Sequence, residues 1–347
     1  MYDIIDKLER EHRLDKDEFT TLLSNINLQV LTELTSRANR CAVERFGRNI
    51  FVRGLIEISN ICRNDCLYCG IRRSNKNLER YRLTPQQIID CCEQGHNAGF
   101  RTFVLQGGEN TILSREQICH LVSDIKNRFP DSAVTLSLGE WEYDDYAAFR
   151  AAGADRYLLR HESATEEHYA RLHPAEMSWS HRMESLRQLR KLGFQTGCGM
   201  MIGSPFQTIE HLANDLMFIQ EFKPQMIGVG PFIAQSETPF AEYPNGSIDQ
   251  TLAVVAICRL LHPDALIPST TALGSIAAEG RTRGILAGAN VVMPNLSPED
   301  VRSKYAIYDH KLASHAEAVE GLKLLAEQLA EIGYKISFER GDYSSKH

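Results

Sequence analysis

The chain has 347 residues, 43% hydrophobic and 24% charged with 23 scattered glycines, the make-up of an ordinary globular protein with enough apolar residues for a sizeable core. Its formal charge of −7 argues against a nucleic-acid binder that works by phosphate neutralisation. No apolar run reaches the ~18 residues of a membrane span, and the opening MYDIIDKLEREHRLDKDEF lacks the apolar stretch of a signal peptide, so a cytoplasmic protein without nucleic-acid or membrane partners is expected.

Residues 1–50 read as an N-terminal helical extension. From residue 51 onward, short β-branched or apolar runs alternate with helical patterns, the mark of parallel βαβ units. Eight strands are expected, at Phe51–Ser59, Thr102–Gln106, Ala133–Leu138, Arg156–Arg160, Gln195–Ile202, Met226–Pro231, Leu266–Thr270 and Asn290–Pro294. Between them, Pro85–Ala98, Arg115–Arg128, Trp179–Leu192, Ile209–Phe222 and Ser247–Leu261 have helical spacing. Four loops repeat one device, a glycine that ends a helix just before a strand, in AGF at 98–100, AGA at 152–154, LGF at 192–194 and AGA at 287–289. The expected fold class is α/β, a complete (β/α)₈ TIM-type barrel over 51–310; counting alone leaves open a six-stranded partial barrel with a separate C-terminal unit. Residues 311–347 form a tail, with a helix over Ala313–Ile332 and a short β-like run, packed on the barrel.

Nine cysteines, an odd number without secretion signals, point to metal or catalytic use rather than a disulfide framework. Three of them, Cys62, Cys66 and Cys69, fall in one loop straight after the first strand, four and then three residues apart. A structural zinc needs four ligands, and no fourth Cys or His follows at zinc-like spacing. A [4Fe–4S] cluster with three protein thiolates keeps one iron free, and a loop after a barrel strand lies at the mouth where such folds place their active sites. Cys41, Cys91, Cys92, Cys119 and Cys258 lie in helical patterns, and most of them read as small buried hydrophobes. Cys198, in Gly197-Cys198-Gly199-Met200, divides evenly between packing and lining a cavity.

The CxxxCxxC loop, with aromatic Tyr68 before its last cysteine, resembles that of the radical S-adenosylmethionine (SAM) superfamily. The resemblance implies an enzyme whose free iron chelates SAM and whose reduced cluster cleaves it to a 5′-deoxyadenosyl radical. Further strand ends carry polar residues suited to such a ligand. Gln106-Gly107-Gly108-Glu109 combines close backbone approach with a carboxylate able to accept from an ammonium, and looks like the superfamily's GGE motif, although a plain turn also accounts for the glycines. Thr135, Ser137 and Glu140 end the third strand. Strand alternation puts Arg156, Leu158, Arg160 and Glu162 on one face, where an anion site is favoured over a simple Arg–Glu pair, and leaves His161 in a structural role. Arg182 suits either the cofactor carboxylate or an exposed helix surface. Ser269, Thr270 and Thr271 either bind a substrate carboxylate or cap the next element, and Tyr305 and Tyr308 either overhang the mouth or pack.

The blocks RGLIEISNICRNDCLYCGIRR, LSLGEW, RYLLRHE, PSTTALGS, VMPNLSP and RGDY, in that order, are similar to those of the HydE-type [FeFe]-hydrogenase maturases. That resemblance implies one [4Fe–4S] cluster on Cys62, Cys66 and Cys69, and SAM contacts from Tyr68, Gly107, Gly108, Glu109, Thr135, Ser137, Glu162 and Arg182. On the substrate side it implies Arg53, Gln106, Arg160, Thr270, Thr271, Tyr305 and Tyr308, around a small iron-containing or cysteine-derived substrate. A reductant protein and other hydrogenase maturases are the implied partners. Some members of that family carry a second cysteine group near the C-terminus, whereas no cysteine follows Cys258 here, so an accessory cluster is not expected. Two other readings stand beside this one. A biotin-synthase-like or methylornithine-synthase-like enzyme would share fold and loop but differ in LSLGEW and RYLLRHE; a non-catalytic iron–sulfur carrier would bind cluster without cleaving SAM and would not need the Gly-Gly-Glu and Arg/Glu strand ends.

Overall fold

The computed structural model describes residues 1–109, 113–311 and 318–344. Three helices, Tyr2–Glu11, Lys16–Ser24 and Leu28–Phe46, open the chain. Asp15 caps the second in a capping box with Glu18, and Asn27 caps the third by accepting from the Val30 N–H. The buried face of the third, including Leu31, Leu34 and Ala38, packs on the helix Ile248–Leu261 and so covers the outside of the strand series.

Among the described residues nine strands follow: β1 Asn49–Val52, β2 Gly54–Ser59, β3 Thr102–Gly107, β4 Ala133–Ser137, β5 Arg156–Leu158, β6 Gln195–Ile202, β7 Met226–Pro231, β8 Val291–Val292 and β9 Lys335–Ser337. Strands β2 to β7 make one parallel sheet in chain order, and β8, β1 and β9 a second, also parallel. Helices Pro85–Asn97, Arg115–Arg128, Trp179–Lys191, Ile209–Phe222 and Ile248–Leu261 lie where the sequence places them. The glycines of the repeated loops, Gly99, Gly153, Gly193 and Gly288, all sit at positive φ, where a side chain would be strained.

β5 and β8 are shorter than expected, and two strands differ in course. The first is interrupted at Arg53 because the chain changes partners there, β1 pairing with β8 and β9 while β2 pairs with β3. Leu266–Thr270 forms no continuous strand but only isolated bridges, Met226 with Leu266 and Pro268 with Val291. Pro268 has no N–H to give a ladder. A further bridge joins Leu55 to Asn295, so pairing links the two sheets on both sides. In the tail, a helix runs over Ala318–Glu331; the expected start at Ala313 lies outside the described residues.

Strand alternation separates two surfaces. Ile56, Ile58, Phe103, Leu105, Val134, Leu136, Tyr157, Leu159, Met200, Ile227 and Val229 enter the apolar core between sheet and helices. Cys198 joins them, which decides its role as packing. The opposite, inner face of this run carries Glu57, Gln106, Thr135, Arg160 and glycines, and is polar and partly bare.

Arg156 departs from the expected anion site. It is fully buried at the start of β5, the end away from the cysteine loop. There it donates to Gln195 Oε1 (3.2 Å), Thr102 Oγ1 (3.1 Å), the carbonyls of Arg340 (2.9 Å) and Gly341 (3.1 Å), and Asp342 Oδ1 (2.7 Å). The RGDY segment thus crosses the N-terminal ends of β3, β5 and β6 as a floor, because that run brings two carbonyls and a carboxylate to one guanidinium.

Candidate active site

The cysteine loop is held from beneath by a residue outside its motif. Arg80 donates four hydrogen bonds to loop carbonyls, from Nη1 to Asn60 (2.6 Å) and Ile71 (2.8 Å) and from Nη2 to Arg72 (2.6 Å) and Asn75 (3.0 Å). Asp65 accepts from Arg72 Nε (2.8 Å) and the Ser74 N–H (3.0 Å), and its carboxyl is held far below the usual range by these donors, Arg72 first. A Cβ on Gly70 would stand 2.0 Å from the Ala306 carbonyl, so only glycine lets the loop close against the segment after β8.

Cys62, Cys66 and Cys69 are half-buried and free. Burial raises all three thiols, Cys69 to about 12; Cys66 and Cys69 are raised further by neighbouring cysteines, and Cys62 by Glu109. Thiolates crowded this way need a cation, and the irons of a cluster supply one, so the donor set fits. Met177 lays its sulfur 3.7 Å from Cys66 Sγ.

The Tyr68 hydroxyl lies 3.2 Å from His173 Nε2. His173 Nδ1 faces the Tyr169 carbonyl at 2.9 Å, and burial lowers its pKa to about 3, so the ring is neutral, Nδ1 donates, and Nε2 accepts from Tyr68. Gly108 meets the cysteine loop so closely that a Cβ would stand 2.4 Å from the Ile61 carbonyl, while Gly107 has more room. Glu109 is buried against Gly139; its Oε1 accepts from Arg63 Nε (2.9 Å) and Nη2 (2.7 Å), and its Oε2 from the Glu140 N–H (2.9 Å). Arg182, expected either at a ligand or on the surface, is buried; it donates to Glu140 and to the Arg160 carbonyl (2.7 Å). Glu140 is therefore the anchor of a residue that spacing alone left undecided.

Deeper in the lumen, Thr135 is 1% exposed with an unpartnered Oγ1, and Ser137 lies two residues above it on the same face. Glu162 holds a left-handed backbone, φ +61°, which costs a non-glycine residue about 1–2 kcal/mol. Its carboxylate stands 3.1 Å from Arg160 Nη2, while Arg160 Nε has no partner. Gln106 Nε2 reaches the buried Tyr305 hydroxyl at 3.4 Å. Thr270 occupies the N-cap of the helix Thr271–Ile276 without capping it, and its Oγ1 is unpartnered. Thr271 begins that helix, and burial raises the Tyr308 hydroxyl to about 12. Arg53 stands apart from the rest, roughly 20 Å along the strand direction from Ser59. It is 5% exposed, touches Met226 Sδ through Nη1 (3.2 Å), and leaves Nε and Nη2 without partners. His161 faces outward, accepting from the Gly199 N–H at 3.2 Å with Asp215 at 3.4 Å.

Glu57 went unnoticed in the sequence because it looks like one polar residue in a strand. It is fully buried, accepts from Asn295 Nδ2 (2.9 Å) and pairs with Lys311, which also donates to the Tyr305 carbonyl (3.0 Å). Arg80, His173 and Met177 likewise carry no motif, since their partners come from distant loops.

Residues 56–219, from β2 to β6 and the helix beyond it, match the model of the Radical SAM superfamily. Over 334 residues, 96% of this chain and 94% of the other, it is 40% identical to the [FeFe] hydrogenase maturase subunit HydE of Thermotoga maritima. The chain belongs to the HydE family of radical SAM enzymes. A 3-methylornithine synthase of Methanosarcina acetivorans is 28% identical over 88% of the chain and 87% of its own length. The crystal structure of methylornithine synthase (PylB) superposes with a TM-score of 0.84 at 26% identity, covering 96% of this chain and 97% of that one. The cofactors of this HydE-family enzyme are those of its superfamily, a [4Fe–4S] cluster and SAM. No helix among the described residues is long and apolar enough to cross a membrane.

Proposed function

We propose that this enzyme acts in maturation of the [FeFe]-hydrogenase H-cluster, on a cysteine-bound iron carbonyl cyanide precursor. The 40% identity to HydE, sustained over 96% of the chain, carries this reading. When bound, cluster and SAM supply reductive cleavage of the S–C5′ bond to a 5′-deoxyadenosyl radical. Cys62, Cys66 and Cys69 ligate the cluster. Tyr68, Gly107, Gly108 and Glu109 pack the cofactor against the loop, Thr135, Ser137 and Glu162 bind it from the lumen wall, and Arg182, oriented by Glu140, holds its carboxylate.

The substrate lies deeper, among Gln106, Arg160, Thr270, Thr271, Tyr305 and Tyr308, with Arg53 at the far end. Unpartnered donors on Arg53, Arg160 and Thr270 support this placement, because buried polar groups left unpaired by the protein are costly unless a ligand pairs them. Residues 51–310 act as a closed (β/α)₈ barrel in which Leu266–Thr270 and β8 complete the ring, supported by the bridges between the sheets. Residues 1–50 and 311–347 are extensions packed on it. The enzyme works in the cytoplasm with a reductant protein and with other hydrogenase maturases.

The test is anaerobic reconstitution, reduction by dithionite and quantification of 5′-deoxyadenosine with and without the precursor. The maturase reading expects free 5′-deoxyadenosine alone and an adenosylated product with the precursor. Cleavage indifferent to the precursor would overturn it and reopen the substrate.

A further inference from the structure

The inner faces of β6 and β7 carry four glycines, Gly197, Gly199, Gly228 and Gly230, none at positive φ. Glycine weakens a strand, so each calls for a reason. Three have one within the protein. A Cβ on Gly197 would meet Leu158 Cδ1 at 2.7 Å, one on Gly199 the Gly228 carbonyl at 2.0 Å, and one on Gly230 Thr270 Oγ1 at 2.9 Å. Gly228 has none. Among the described residues a Cβ there would find a single atom within 4 Å, the Cys198 carbonyl oxygen at an ordinary 3.7 Å. Yet Gly228 is buried, and its neighbours Ile227 and Val229 point into the outer core. The space it faces is therefore inside the lumen.

An independent feature marks that space as a ligand's. Arg53 is buried at 5% exposure with Nε and Nη2 unpartnered on the same inner side. Arg53 also touches Met226, two residues before Gly228 on the same face of β7.

We propose that Gly228 is the size gauge of the lumen: a substrate group packs against its bare backbone, and a side chain there takes the substrate's room rather than the protein's. The choice of substrate rests on the maturase reading; the existence of the space does not.

Gly228→Ala and Gly228→Val are compared with wild type in the reconstituted enzyme. A glycine with only a structural role would lose stability on substitution; here Ala is expected to raise Tm by about 1–2 °C. SAM cleavage without precursor should be unchanged. KM for the cysteine-bound iron precursor should rise about tenfold with Ala and further with Val, with kcat less affected. A Tm drop of several degrees in both variants would show that no space exists at this position and overturn the proposal whatever the substrate. Unchanged KM in both variants, with wild type responsive to the precursor, would overturn it as well. If wild type ignores the precursor while both variants keep or raise Tm, the maturase reading fails and the lumen space stands.

Discussion

Arginines on the inner side of the sheet are treated in two opposite ways. At the floor, all three nitrogens of Arg156 have protein partners, drawn from β3, β6 and the C-terminal RGDY segment. Facing inward, Arg53 and Arg160 keep N–H groups that nothing among the described residues accepts. A guanidinium saturated by its own chain is architecture, whereas one left short of acceptors is arranged for something the chain does not contain. Sequence position does not separate them, since Arg156 and Arg160 lie on one strand run at the same alternation.

The largest effect expected from breaking this contrast is at the mouth. Replacing Cys62, Cys66 or Cys69 by Ala should abolish the iron–sulfur absorbance and reduce 5′-deoxyadenosine formation to background, and a variant that keeps both would remove that cysteine from the ligand set. Next comes the floor. Arg156→Met leaves two carbonyls and Asp342 without their donor and should cost about 3 kcal/mol in urea denaturation, with SAM cleavage retained at low temperature. Arg53→Met removes a buried charge that lacks acceptors, so it should be neutral or stabilising by about 1–3 kcal/mol while precursor turnover falls. Equal destabilisation by both arginine variants would erase the distinction.

A smaller effect sharpens the strain at the mouth. Glu162→Gly relieves the left-handed backbone and should gain about 1 kcal/mol while weakening SAM binding measured by equilibrium dialysis; a loss of stability would show that the carboxylate holds the fold. The smallest effect is a pH dependence at the floor. Burial alone would raise the Asp342 pKa, but Arg156 and Arg340 outweigh it and lower it. A carboxyl depressed in the folded state contributes stability that is present above its unfolded pKa of about 3.9 and is lost as pH falls through the folded value. Tm should therefore decline at acid pH less steeply in Asp342→Asn than in wild type, and parallel curves would exclude the pair as a source of that slope.

Much of the molecule was legible before folding. CxxxCxxC with Tyr68 points to the cluster loop through local spacing, and β6 and β7 match their expected bounds because continuous apolar or glycine runs between turn residues are local signals. The helix-ending glycines read true for the same reason, since positive φ is a property of one residue. Leu266–Thr270 was harder: its composition suits a strand, but ladder formation depends on a partner register that Pro268 interrupts.

What the sequence by itself determined is the family, the cysteine loop and the alternation of strands and helices, all carried by residues near one another in the chain. Only the tertiary structure decided that Arg156 belongs to the floor, that Cys198 faces the outer core, that Arg80 and Glu140 hold the mouth in place and that Gly228 faces open space. Each of those depends on partners tens to hundreds of residues away, and whether a polar group is satisfied or a glycine is needed is a property of the surroundings that folding assembles, not of the residue itself.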